Sequence, residues 1–385
     1  VIKNLDKAAK RLIKAAEQGE RIILYGDADL DGVCSAIIMQ ETLKTLGGSV
    51  QKVYFPDREK DGYGITKKAL RELKRFSPAL LCVMDLGISN FKEIEKAKKD
   101  GFDVLLVDHH VVLNKLPKAD IIVDPKQKGD KHPFKELAAC GLTFRLAEEM
   151  LGKDISTALR KSLVELAAIG TTADMMPKEA DNKDIVQEGL ETLENSWRPG
   201  ICAFFKLQEL ERFPNIESKL QKLISILNVR DVEEGCPASF RILTCDSERE
   251  ATAIAERLLE IHKLRKQQTQ KLLDKVRSSV AEQADCPIVF EGGEDFDYIL
   301  LGTVSSVISQ EQGKSAFVYR KMKGESVGSV RAPSGQDTVK AMKHCAQYAI
   351  TYGGHPQASG FRIKNANLAK FKKCLIKYFK ENCPA

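Results

Sequence analysis

No apolar run in this chain approaches the roughly 18 residues that a membrane-spanning helix needs, and no charged-then-apolar leader opens it. A cytoplasmic protein with no membrane partner is therefore expected. Residue 1 is valine rather than methionine, which leaves a preceding leader open. The ten cysteines are scattered singly, with no C-x-x-C pair and no zinc-like spacing. Cys34, Cys82, Cys140 and Cys345 sit in apolar context, so buried reduced thiols are expected. Charge of one sign does not dominate either: the formal net charge is +6, modest for a protein that binds a polyanion. The 30% charged fraction would suit the ion-pair networks of a thermophile.

What is present is ample core material, 43% hydrophobic residues over 385 positions, more length than one core usually supports. Strand-like runs at 21–26, 50–55, 79–84 and 103–107 alternate with helical patterns at 33–47, 65–76 and 90–100, and a further strand at 121–124 follows. Such alternation implies β-α-β units and a parallel sheet. Residues 135–195 read as mostly helical, and the stretch from Trp197 to Cys245 is mixed, punctuated by Pro199, Pro214 and Pro237. Ser247 to Gln283 reads as one long helix, acidic early and basic later, a polarity that suits the helix dipole. The last hundred residues form a second α/β pattern, with strands expected at 297–303, 314–320, 325–330 and 359–363 and helices at 304–311, 336–348 and 366–380.

Chemistry concentrates where apolar runs end. Val104-Leu-Leu-Val-Asp-His-His110 stops in one carboxylate and two imidazoles. Arg21-Ile-Ile-Leu-Tyr-Gly26 empties into Asp27-Ala-Asp-Leu-Asp-Gly32, Leu80-Leu-Cys-Val-Met84 stops at Asp85, and the helical segment from Leu163 runs through Gly170-Thr-Thr-Ala-Asp174. Taken singly, a His-His pair is more often a loop feature, and acids at a strand-to-helix turn often serve as caps. Recurrence favours a metal site, because acids at the ends of parallel neighbouring strands converge. Hard oxygen donors with a few imidazoles suit Mn²⁺ or Mg²⁺, and so many carboxylates suggest two ions. That site would concentrate negative charge, so basic residues must dominate elsewhere.

The motifs at Asp27–Gly32, Asp85-Leu-Gly-Ile-Ser-Asn90, Asp108-His-His110 and Gly170–Asp174 resemble, in order, the four motifs of the DHH phosphoesterase superfamily. Pro56-Asp-Arg58 with Asp61-Gly-Tyr-Gly64 is similar to an element of the RecJ single-strand nucleases, Asp61 standing where that family has glutamate. Gly353-Gly-His-Pro-Gln-Ala-Ser-Gly360 and Gly328-Ser-Val-Arg331 resemble the DHH-associated C-terminal domain, and Gly141 resembles the helix-opening glycine after the third motif. The short RecJ forms of archaea are the nearest likeness. The family's N-A-x-G-R element is reduced here to Asn228-Val-Arg230.

The resemblance implies an α/β fold in which an N-terminal parallel-sheet DHH domain (1–195) and a mixed extension (196–246) are joined by a linker helix (247–283) to a smaller C-terminal α/β nucleic-acid-binding domain (284–385). It implies a metal-dependent exonuclease acting on single-stranded DNA or RNA, in replication or repair. Two Mn²⁺ ions, or Mg²⁺, would be held by Asp27, Asp29, Asp85, His109 and Asp174, with Asp85 bridging and Asp31 a ligand or just behind one. Asp108 would orient an imidazole and His110 would assist at the scissile phosphate, while Arg58, Tyr63, Ser329, Arg331, Gly353, Gly354 and His355 would bind substrate. The bland readings of these last groups are a surface arginine and a glycine turn. Two other functions stay open: a phosphoesterase for oligonucleotides, cyclic dinucleotides or pyrophosphate, and a replisome scaffold, since archaeal relatives associate with the GINS complex. Under this resemblance the OB-fold that bacterial RecJ proteins append is expected to be absent, and weaker binding of long strands is expected with it.

Overall fold

The computed structural model describes residues 1–58, 61–112, 115–281 and 286–382. The chain divides into two compact units, Val1–His262 and Lys263–Ala385.

In the first unit a helix absent from the sequence reading, α1 (Leu5–Glu17), precedes the alternating pattern of β1 (Ile22–Gly26), α2 (Leu30–Thr45), β2 (Val50–Tyr54), α3 (Lys67–Leu73), β3 (Ala79–Met84), α4 (Phe91–Lys99), β4 (Phe102–Val107) and β5 (Ile121–Val123). The five strands pair in the order β2-β1-β3-β4-β5, all parallel. Side chains alternate across such a sheet, and both faces here are covered. Ile22, Leu24, Leu80, Cys82, Met84, Leu105 and Val107 enter a core shared with α1, α2 and the later helices α5 (Ala139–Leu151) and α6 (Thr157–Ala173). Ile23, Tyr25, Leu81, Val83, Val104 and Leu106 enter the opposite core, closed by α3 and α4. That is why β1 and β3 read as continuous apolar runs: every residue is buried.

Beyond α6, α7 (Ala180–Leu193) packs antiparallel to it across a short turn, and α8 (Pro199–Phe205), α9 (Gln208–Glu211), α10 (Ile216–Leu227), the β6–β7 pair (Val232–Glu233, Cys236–Pro237) and α11 (Ala238–Leu243) complete the unit. Phe204, Leu223, Ile226 and Ile242 tie this segment into the larger core. The long helix α12 runs Glu248–Ala281. Its expected end at Gln283, and the expected boundary at residue 284, fall in 282–285, outside the described residues. Ala251, Ala255 and Leu258 bury in the first unit's core, whereas Leu272, Leu273 and Val276 bury in a core of the second.

The second unit is built on a mixed sheet ordered β11-β12-β10-β9-β8, from β8 (Ile288–Gly293), β9 (Ser315–Lys321), β10 (Glu325–Arg331), β11 (Ala349–His355) and β12 (Ala358–Lys364), with α13 (Leu301–Gln312), α14 (Thr338–His344) and α15 (Leu368–Asn382). Three expectations are corrected here. Residues 297–303 are helical, not a strand: Asp297 caps a turn at Tyr298–Leu300 that runs into α13, and Leu300, Leu301, Val304 and Ile308 bury one helical stripe. The strand lies earlier, at β8. The Gly353–His355 segment, expected as a loop, is the end of strand β11 paired with β12. A Cβ on Gly354 would lie 2.6 Å from the Ala358 carbonyl oxygen, so this close pairing explains the glycine by itself. Cys345, expected as a free thiol, is disulfide-bonded to Cys374 between α14's end and α15, with Cα atoms 6.0 Å apart. Proximity in space, invisible at a sequence separation of 29, makes the pair. No helix among the described residues is long and apolar enough to cross a membrane.

Candidate metal centre

The parallel sheet delivers the acids. Each backbone ladder continues one residue past its strand: Asp27 N–H donates to the Met84 carbonyl (3.2 Å), Asp85 N–H to Val107 (2.9 Å) and Asp108 N–H to Val123 (3.0 Å). Asp27, Asp85 and Asp108 therefore stand side by side along the carboxyl edge, the first two where the strand order reverses. Helix α2 brings the next pair. Asp29 is its N-cap, accepting from Gly32 N–H at 3.1 Å, and Asp31 sits in its first turn. Only glycine fits at position 32, because a Cβ there would lie 2.4 Å from the Asp27 carbonyl oxygen. Helix α6 brings the last acid, Asp174, at its C-terminal cap. Its Gly170 lets it lie flush, since a Cβ would sit 2.6 Å from Cys140 Sγ and 3.3 Å from Asp31 Cα.

His109 Nε2 faces three of these carboxylates, at 3.3 Å from Asp85 Oδ1, 3.6 Å from Asp174 Oδ2 and 3.7 Å from Asp31 Oδ2. Three overlapping donor sets result, Asp27/Asp29/Asp85, Asp31/His109/Asp174 and Asp85/His109/His110, each with one ligand atom per residue within 4.8 Å of the others. Asp31 does double duty, its oxygens also accepting Ala139 N–H (2.8 Å) and Cys140 N–H (2.7 Å) at the start of α5. His109 Nδ1 is buried without a hydrogen-bond partner among the described residues. Carboxylate oxygens in excess, with two imidazoles among them, are a donor set for hard divalent cations.

Electrostatics point the same way. Burial pushes the Asp85 carboxyl well above its ordinary range, and the charges of Asp31 and Asp29 push it further. Burial also raises Asp27 and Asp31, each opposed by a nearby cationic or imidazole group, and raises Asp174 to about 6. A cluster of raised acids at one point is costly to ionise without cations. Asp108 behaves oppositely: burial would raise it, but the hydrogen bond and charge of His110, with backbone N–H donors, hold it below the usual range. Its Oδ1 lies 2.8 Å from His110 Nδ1 and accepts His109 N–H at 2.8 Å, while Oδ2 accepts Ile88 N–H at 2.9 Å. That hydrogen bond in turn raises the His110 imidazole. The His110 side chain is about half exposed, at 52%.

The residues expected to meet substrate are placed as follows. Arg58 lies inside the centre, Nε donating to Asp27 Oδ1 (2.7 Å) and Nη2 to Asp29 Oδ2 (2.7 Å), and its guanidinium carbon is 4.5 Å from the Tyr63 ring centroid. Those contacts hold Asp29 low against burial. In the second unit Ser329 and Arg331 lie two apart on β10, Arg331 Nη1 donating to Ser329 Oγ at 3.1 Å, and Gly353, Gly354 and His355 are exposed on β11. One titratable group passed over in sequence lies behind Asp108: Asp124 is fully buried and pushed by burial to about 7, and one of its oxygens has no hydrogen-bond partner among the described residues. It too ends an apolar run, Ile121–Val123, which was the available signal.

The profile of the DHH family, N-terminal domain, matches residues 21–171, the stretch that supplies the sheet and all of the centre but Asp174. The single-stranded-DNA-specific exonuclease RecJ of Bacillus subtilis is 34% identical over 94% of this chain, which spans 46% of that protein's length. A crystal structure of exonuclease RecJ bound to manganese superposes with a TM-score of 0.84 at 25% identity, covering 98% of this chain and 94% of that one. RecJ of Thermus thermophilus in complex with Mn²⁺ gives 0.80 at 23% identity, covering 99% and 55%.

An open parallel sheet with acids and imidazoles gathered on its carboxyl edge makes this a DHH-superfamily protein. Within that superfamily the chain is RecJ-like, over both of its units.

Proposed function

We propose that this chain hydrolyses phosphodiester bonds of single-stranded nucleic acid from an end, using two divalent ions, Mn²⁺ foremost and Mg²⁺ as the alternative. The observation that carries the reading is the gathering of Asp27, Asp29, Asp31, Asp85, His109 and Asp174 at one sheet edge. Asp27, Asp29, Asp85, His109 and Asp174 would hold the ions, and Asp85, which belongs to two of the three donor sets, is the choice for the shared ligand. Bound there, the ions supply the charge neutralisation and lowered water pKa that attack on phosphorus needs.

The chain's own groups do the rest. Asp108, its carboxyl held low, accepts from His110 Nδ1–H, which orients the ring and favours the imidazolium, the form that carries a proton on Nε2 as well. His110 is thereby set to donate to a phosphoryl oxygen or to the leaving oxygen. In the second unit, Arg331 has no carboxylate partner among the described residues and lies near the first turn of α13, where a Cβ on Gly302 would be 3.5 Å from its Nη2. A guanidinium beside a helix N-terminus suits a strand phosphate. The RecJ names of the relatives support the single-strand substrate.

The test is a time course on single-stranded DNA and RNA, labelled separately at each end, in Mn²⁺ and in Mg²⁺. Mononucleotides released progressively from one end are expected. If only dinucleotides and small activated diesters were cleaved, the site would belong to a small-substrate phosphoesterase and the proposal would fail.

A further inference from the structure

Two residues other than glycine hold a left-handed backbone at the metal centre, Asp85 at φ 63° and Met175 at φ 56°. For Asp85 the conformation has a use, since it turns the carboxylate toward His109 and the neighbouring acids. Met175 is not a ligand. It closes α6 in a Schellman cap, its N–H donating to the Thr172 carbonyl and the Met176 N–H to Thr171, both at 3.3 Å. Glycine is the usual occupant of that position, because a Cβ crowds the following carbonyl. Met176 makes the apolar contact such a cap usually carries, packing against the main core. Met175 has no such reason to be apolar: its side chain is 90% exposed, one residue from Asp174.

Single exposed hydrophobic residues are common and need no explanation. An exposed one that also holds a strained backbone beside the chemistry is different, because glycine would relieve the strain at no loss of packing. Two further exposed apolar side chains adjoin other residues of the centre. Val111, 62% exposed, follows His110, and Tyr63, 68% exposed, stacks on Arg58, which bonds Asp27 and Asp29. Met175, Val111 and Tyr63 thus border a centre that is otherwise carboxylate, imidazole and guanidinium.

We propose that Met175, at the rim of the same centre as Val111 and Tyr63, receives the base of the nucleotide whose phosphate is being cleaved, an inference that rests on the single-strand reading above. Phosphate and sugar hydroxyls are met by charged and polar groups. The base is the one part of a nucleotide with an apolar face, and a thioether on three rotatable bonds fits such a face without reading its edge. The consequence for specificity is a need for a base at the cleaved nucleotide, with little preference among the four.

The experiment compares the full chain with Met175→Gly and Met175→Leu in Mn²⁺, on single-stranded DNA whose terminal nucleotides are intact or abasic. The parent should show a KM about five- to tenfold higher on abasic ends, at the lower end of what a stacked contact contributes. Met175→Gly should bring that ratio close to one while melting about 2 °C higher, because glycine suits the backbone. Met175→Leu should restore the ratio. A parent that digests intact and abasic ends alike, a Met175→Gly chain that keeps the parent's ratio, or one that melts lower than the parent would each overturn the inference and leave the nuclease reading standing. A parent that digests no single strand at all would remove the nuclease reading, and this inference with it.

Discussion

Asp85→Asn should raise the stability of the metal-free protein while removing most of its response to metal, and the two effects follow from one geometry. Asp27, Asp29 and Asp85 offer oxygens within 4.8 Å of one another, and Asp85 itself is almost fully buried. At that separation and an effective dielectric of about 20, each pair of like charges repels by about 3 kcal/mol. Arg58 offsets part of this for Asp27 and Asp29, and Asp85 escapes part of it by holding its proton. A net gain on the order of 1–2 kcal/mol on neutralising Asp85 is left, or a melting temperature higher by roughly 2–6 °C for a unit of this size. Asparagine also tolerates the φ of 63° at this position as well as any residue but glycine. Saturating Mn²⁺ should stabilise the parent, by about 2.7 kcal/mol at a hundred times Kd. The variant should lose most of that together with roughly 10³-fold in rate, the worth of several kcal/mol of charge neutralisation. Thermal melts in chelator and in Mn²⁺ should therefore cross, the variant above the parent in the first and below it in the second. A variant less stable than the parent in chelator, or one that keeps the full Mn²⁺ shift, would refute the reasoning.

Three other expectations come from the same structure. Burial raises Asp174 to about 6 and Asp124 to about 7, so the metal-free native state binds more protons than the unfolded chain. The stability these groups contribute is present below the ordinary carboxylate pKa and is lost as pH rises through their folded values. Melting temperature in chelator should thus fall from about pH 5 to about pH 8, while the Mn²⁺-induced shift grows over the same window as metal competes better with protons; a Mn²⁺ shift flat across that range would count against Asp174 as a ligand. His110→Ala should lower kcat with little change in strand binding, whereas Arg331→Ala should weaken binding and flatten its salt dependence, and equal binding losses would show that one role is misplaced. Gly170→Ala, whose Cβ would sit 2.6 Å from Cys140 Sγ, should cost about 1–3 kcal/mol and weaken the Mn²⁺ response by displacing α6; an unchanged melt would mean α6 is not held flush.

Much of this was legible in one dimension because the signals are local. Runs such as Leu80–Met84 are buried on both faces of a parallel sheet, so they are apolar throughout and stop where the chain reaches the edge. An acid at that stopping point is therefore visible in sequence, as Asp27, Asp85 and Asp108 were. The errors have local causes too. Residues 297–303 carry apolar side chains at a spacing that a short window cannot divide between strand and helix, and packing of Leu300, Leu301 and Val304 decided it. The pairing of Cys345 with Cys374 depends on how α14 and α15 meet, which no spacing encodes.

By itself the sequence determined the alternation of strands and helices, the residue types at the strand ends and hence the class of ion they suit. Only the tertiary structure decided which oxygen faces which nitrogen: that His109 Nε2 looks into three carboxylates, that Asp108 holds His110 while Asp31 caps α5, and that Arg58 reaches back onto Asp27 and Asp29. The physical reason is range. Periodicity and capping act over a few residues and are written in order along the chain, whereas proton affinity and ligand geometry depend on charges brought within a few ångströms from segments more than a hundred residues apart.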